Sequence, residues 1–151
     1  MSRGYTLNGP SATGTANKTA LTVIASASVR PRMFEFSVGL TTAPNSTDQQ
    51  LEFAVGRFTA VGTAGASPTP LAIDPGDVAA ISTGGITHSA EPTYATGYLM
   101  DMAMNQRAMF RWVAVPGFEF VGPAVAGNGI GLRNVGITAT SVVLGTAMWM
   151  E

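Results

Sequence analysis

The 151-residue chain contains no cysteine. That absence excludes a disulfide frame, a thiolate nucleophile and every thiolate metal site together. It holds one histidine, His88, and a lone histidine without cysteine cannot build a usual transition-metal site. Charge is scarce as well: 11% of residues are charged, where about 25% is usual for a soluble domain. Thr, Ser, Asn and Gly must cover part of the surface, and contact with other subunits is expected to cover the rest. A formal net charge of −1 with no basic run removes the electrostatic footprint that nucleic-acid binding needs. No apolar run approaches the ~18 residues of a membrane span, and the first twenty residues lack a hydrophobic signal core. The expectation is a protein assembled where it is made, with neither nucleic acid nor membrane as partner.

Apolar residues make up 46% of the chain, enough for one domain with a core of its own. Their spacing is two rather than 3.6. In "LTVIASA" Leu21, Val23, Ala25 and Ala27 share a face, and in "FEFSVGL" Phe34, Phe36, Val38 and Leu40 point inward. "LEFAVGRFTAV" alternates until Arg57 takes an inward slot, and a bulge near Gly56 would restore the pattern. "YLMDMAMN" and "AMFRWVAV" read as two strands joined by a hairpin turn at residues 105–107. "PGFEFV", Ile130 to Arg133 and a terminal strand, "TSVVLGTAMWM", with Val142, Leu144 and Met148 inward, complete the set. About eight strands at even spacing predict an all-β, single-domain antiparallel β-sandwich or barrel, jelly-roll-like. Asp74 and Pro75 predict one short helical turn near residues 75–81. Residues 1–18 are expected to be an extended arm held by a neighbouring subunit, and residues 19–151 the sandwich.

"AGNGIGLRN" has the glycine content of a phosphate loop but follows a loop and precedes a strand, so no helix N-terminus is available for an anion. His88 reads as a histidine that hydrogen-bonds locally. Glu35, Glu52 and Glu119 take outward strand positions, where pairing with arginine is the expected role. Seven arginines stand against one lysine, and the guanidinium fork suits contacts with carboxylates at interfaces. The candidate interface residues are Arg3 and Tyr5 in the arm, Arg30, Arg32, Arg107, Arg111 and Arg133, and Trp149, which has outward parity. Most of the methionines at 100, 102, 104, 109, 148 and 150 read as core filling. No catalytic, cofactor-binding or metal-binding set is expected.

"TALTVIASASVRPRMFEFSVG", "EFAVGRFTAVGTAGASPTPLAIDPGD", "THSAEPTY", "NQRAMFRWVAVPGFEF" and "GNGIGLR" together resemble the small virion proteins of tailed bacteriophages. Some of these are capsid decoration, or cement, proteins with a jelly-roll-like fold. The resemblance implies a homotrimer, made in the host bacterial cytoplasm and seated on the outer capsid surface. There it would clamp neighbouring copies of the major capsid protein, with no enzymatic activity. A ligand that binds only the assembled lattice stabilises it by mass action. The alternative is a tail or head fibre tip recognising host glycan. A cell-wall glycosidase built on Glu35, Glu52 and Glu119 is the third reading.

Overall fold

A computed structural model describes residues 2–11, 16–136 and 141–151. Alternating apolar and small polar residues form thirteen strands: β1 (Gly4–Ser11), β2 (Thr19–Ile24), β3 (Arg32–Leu40), β4 (Gln50–Ala60), β5 (Thr63–Ala66), β6 (Leu71–Ala72), β7 (Thr83–Ala90), β8 (Thr93–Tyr94), β9 (Met100–Asn105), β10 (Phe110–Val113), β11 (Phe120–Val121), β12 (Gly129–Asn134) and β13 (Val143–Met150). They make two antiparallel sheets. The first has the order β10-β3-β13-β1-β6, with β11 also on β3; the second has β5-β7-β2-β12-β4-β8, with β9 also on β4. The all-β sandwich expected from the period-two pattern is therefore present. The number of strands exceeds eight partly because β6, β8 and β11 are two-residue pieces between turn residues.

Three strand pairs carry the chain between the sheets. β3, β13 and β1 lie side by side in one sheet, and their chain neighbours β4, β12 and β2 lie in the same order in the other. Strands that cross together in this way lay the two sheets face to face as a sandwich. The facing sides bury Leu7, Leu21, Val23, Phe36, Val38, Phe53, Val55, Ile130 and Leu132.

Several local expectations are corrected. Gly4–Ser11, expected as an extended arm held by a neighbouring subunit, is an inner strand of its own chain's sheet, paired along its whole length with β13 and bordered by β6. Its alternation of Tyr5 and Leu7 with Thr6 and Asn8 is enough because the small residues Gly9 and Ser11 complete the buried face. Residues 1 and 12–15 of the expected arm, and Thr140 of the expected terminal strand, lie outside the described residues. Asp74 starts a turn rather than a helix: its side chain accepts from the Gly76 N–H at 2.8 Å, its carbonyl accepts from Asp77 N–H at 3.0 Å, and the chain then departs.

The 105–107 turn is not a hairpin. It passes the chain from β9, paired with β4, to β10, paired with β3 in the other sheet. No bulge interrupts β4 at Gly56, where pairing with β12 is continuous. Irregularities fall elsewhere: in β4 between Phe58 and Ala60 on its β8 side, and in β3, where Met148 opposes Glu35 and Trp149 opposes Met33, leaving Phe34 as the extra residue. That slip places Met33 in the core and leaves Phe34 half-buried. In β13 the inward residues are Val143, Gly145, Ala147 and Trp149, so Leu144 and Met148 face outward.

Candidate interaction surfaces

The structure scatters the arginines and closes most of them into internal pairs. Arg111 grips Glu35 through two hydrogen bonds of 2.7 and 2.9 Å, and Arg32 pairs with Glu119 at 2.8 Å. Glu35 and Glu119 are both held below the usual carboxylate range, Glu35 chiefly by the Arg111 hydrogen bond and Glu119 chiefly by the Gly117 N–H. Arg3 stands 3.5 Å from Asp77, and Arg107 stands 4.0 Å from Asp48. Arg133 meets no carboxylate among the described residues; its guanidinium lies over the Tyr94 ring and its Nε donates to the Asn17 carbonyl. Arg30 is exposed and has no partner among the described residues. Tyr5 and Trp149 lie wholly inside the sandwich, which removes them from any surface.

The outward face of the second sheet is covered by the segment that follows β7. Tyr94 lies over Gly131, and Phe58 lies over Gly129; a methyl group on either glycine would collide with the ring above it. These glycines of "AGNGIGLRN" make a floor for aromatic rings, and sequence reasoning had only their scarcity of side chains as a signal. Phe58 can thus face outward and remain buried, while Arg57 extends to the Val121 carbonyl at 3.0 Å. The same layer holds a polar cluster. Glu91 accepts from the N–H and hydroxyl of Thr19, the Thr19 hydroxyl meets the Tyr94 hydroxyl at 3.0 Å, and Lys18 stands 3.3 Å from Glu91. Burial pushes the Tyr94 phenol far up.

His88 belongs to this layer. It is 2% exposed, its Nε2 is 3.4 Å from the Thr22 hydroxyl, and its Nδ1 has no hydrogen-bond partner among the described residues. Burial holds its pKa below the usual 6.5. The unfolded chain therefore binds a proton below about pH 6.5 that the folded chain refuses until a lower pH, and stability falls as pH drops through that window. Denaturation midpoints measured from pH 8 to 5 should decline for the natural chain and stay flatter for His88→Gln. With only one histidine present, equal slopes would contradict the assignment.

The outward face of the first sheet differs, because apolar residues reach solvent there. Paired residues on neighbouring strands share a face, and one row runs Val113, Glu35, Met148, Thr6, Leu71 across β10, β3, β13, β1 and β6. Its two ends are the most apolar. At the β10 edge Val113, Val115 and Phe118 are 51%, 68% and 77% exposed. Phe118 closes a turn in which its N–H donates to the Val115 carbonyl at 2.9 Å and Gly117 has φ of 90°. Pro116 and Gly117 suit the second and third places of a type II turn, so the aromatic ring is carried on a rigid base. At the β6 edge Leu71, Ile73, Val78 and Ile81 are each more than half exposed. The loop behind them is tied down by the Tyr5 hydroxyl donating to the Val78 carbonyl and by Glu151 accepting from the Ile81 and Ser82 N–H groups.

Among the described residues no three of His, Asp and Glu stand close enough to hold a metal ion. Comparison with protein-family models, with curated proteins and with solved structures returns no match.

Proposed function

We propose that this protein works by adhesion: a structural virion protein that decorates the outer surface of an assembled phage head and stabilises contacts between major capsid subunits. One observation carries the reading. Seven of the eleven exposed large apolar side chains among the described residues stand at the two edges of one sheet, in the edge strands and the tethered turns and loops beside them. Isolated exposed apolar residues need no explanation, whereas clusters on a rigid support mark a surface that is covered in use. The sequence resemblance to phage virion proteins supplies the kind of surface. Glu35 and Glu119 are occupied by arginine, which is how a structural carboxylate is used, and neither is left free to act as a general acid.

The mechanism is linkage. A protein that binds the assembled lattice better than its dissociated parts raises the free energy of disassembly by its own binding free energy. Purified protein added to heads lacking it should co-sediment to saturation and raise the temperature at which the heads release DNA. Absence of binding to heads, with binding to host cells instead, would favour the fibre-tip reading. That second reading has one observation of its own: Tyr98 is 41% exposed and lines a shallow depression with Arg57 and residues 95–97, an arrangement able to take a sugar ring.

A further inference from the structure

We infer that the partner of each apolar edge is the opposite edge of a second copy of this chain. Both edges lie at the same level of the first sheet, since Leu71 and Val113 end one row of paired residues. Four strand spacings of about 4.8 Å separate them, roughly 19 Å, so they cannot cover each other within one molecule.

Their charges are complementary once internal pairs are removed. At the β6 edge Arg3 is paired with Asp77, which leaves Asp74, whose Oδ1 accepts only from the neighbouring Gly76 N–H, and Glu151, which accepts only from neutral N–H groups among the described residues. No lysine or arginine occurs between Arg57 and Arg107, so nothing else in that segment offsets Asp74. At the β10 edge Arg111 and Arg32 are paired with Glu35 and Glu119, which leaves Arg30 and also Arg57, whose Nε reaches only the neutral Val121 carbonyl. Arg30 lines a depression of about 210 Å³ with Arg32, Gly117, Glu119 and Val121, directly beside the turn that carries Phe118. Each edge therefore presents an apolar group and uncompensated charge, negative at the β6 edge and positive at the β10 edge.

Like edges brought together would oppose charges of the same sign, which costs binding and selects against that pairing. Unlike edges brought together would set Asp74 of one copy against Arg30 of the next and lay Leu71 and Ile73 on Phe118 and Val115. An unlike contact closes reciprocally between two copies or around a ring, and runs on as a filament only where its rotation fails to close. This deepens the adhesion reading and rests on it, because a closed set of copies offers a lattice several attachment points at once.

The test reads the mass of the purified protein in solution by sedimentation, with no head present. The natural chain should be a closed assembly of two or more copies. Phe118→Asp and Leu71→Asp, both at exposed positions, should each give a folded monomer by circular dichroism. An equimolar mixture of the two should give one-to-one pairs and nothing larger, because only one sound edge-to-edge contact survives in the mixture. Arg30→Asp and Asp74→Arg should each weaken association by about tenfold or more, and the two changes in one chain should restore it. A natural chain that is monomeric, single variants that keep the natural mass, a mixture that stays monomeric, or a charge exchange without rescue would each overturn the inference. A monomer that still binds heads would overturn only the self-pairing. Closed assemblies that ignore heads would overturn only the decoration role.

Discussion

Trp149→Ala is expected to lower the free energy of unfolding by about 3–5 kcal/mol, the usual cost of truncating a buried aromatic side chain. Trp149 is fully buried in β13, and its ring lies 6.1 Å from that of Tyr5, itself 1% exposed. The indole also works at a distance. Its Nε1 donates to Glu151 at 3.1 Å, and the same carboxylate accepts from the Ile81 and Ser82 N–H groups at 2.9 and 2.8 Å. Burial opposes ionisation of Glu151, yet these donors outweigh it and hold the carboxyl below its usual 4.5. A depressed carboxyl contributes stability that is present above the unfolded value and lost as pH falls through the folded one. Trp149→Phe, which keeps most of the volume but not the N–H, should lie between the natural chain and the alanine variant in urea denaturation. Its stability should also fall less steeply on acidification below about pH 4.5, because a less depressed carboxyl has less linked stability to lose. A loss under about 1 kcal/mol for Trp149→Ala would mean that the ring is not packed as described.

Gly129→Ala is the second large effect expected, at about 3 kcal/mol or more, with failure to fold at 37 °C as an acceptable form of the same result. A methyl group there would run into the Val23 carbonyl oxygen, with Phe58 Cζ at 2.6 Å and Ile24 Cα at 3.1 Å. β2 and β12 are paired at this point, Gly129 opposite Ile24, so the backbone cannot withdraw without losing ladder hydrogen bonds. Gly127, two residues earlier, makes the useful contrast. Nothing lies within 4 Å of its missing side chain, and its cost comes only from φ of 80°, roughly 1–2 kcal/mol for an alanine held in the left-handed region. Thermal unfolding of both variants side by side tests the difference, and equal losses would refute the close approach at Gly129.

The class of fold was legible from the chain alone, because alternation of side chains across a strand is a local property of extended backbone. Phe36 and Val38, and Met102 and Met104, lie where that local pattern puts them, whereas "PGFEFV", read as a strand, is a turn at Pro116–Gly117 with a strand only at Phe120–Val121. What failed needed information from another strand. A single extra residue at Phe34 reverses the parity of what precedes it, and nothing within "RMFEFSVG" marks the slip. Phe58 looked misplaced until Tyr94, 36 positions away, supplied its cover, and nothing local in the strand Ile130 to Arg133 marks Gly131 as the seat of that ring. Tyr5 and Trp149 looked available for contact because neither carries a sign of the sheet that closes over it.

The candidate surface was the least legible part. Val113, Met148, Thr6 and Leu71 share one row only because β10, β3, β13, β1 and β6 lie in that order, and sheet order is decided by which ribbons bury the most surface together. Sequence by itself determined that the chain makes strands, has few charges to spend on its surface and carries no cysteine. Tertiary structure alone decided which arginines are already paired, which aromatic side chain reaches solvent, and that the unpaired Arg30 and Asp74 stand at opposite edges of one sheet. Local backbone geometry sets the first group, and contacts between residues remote in the chain set the second.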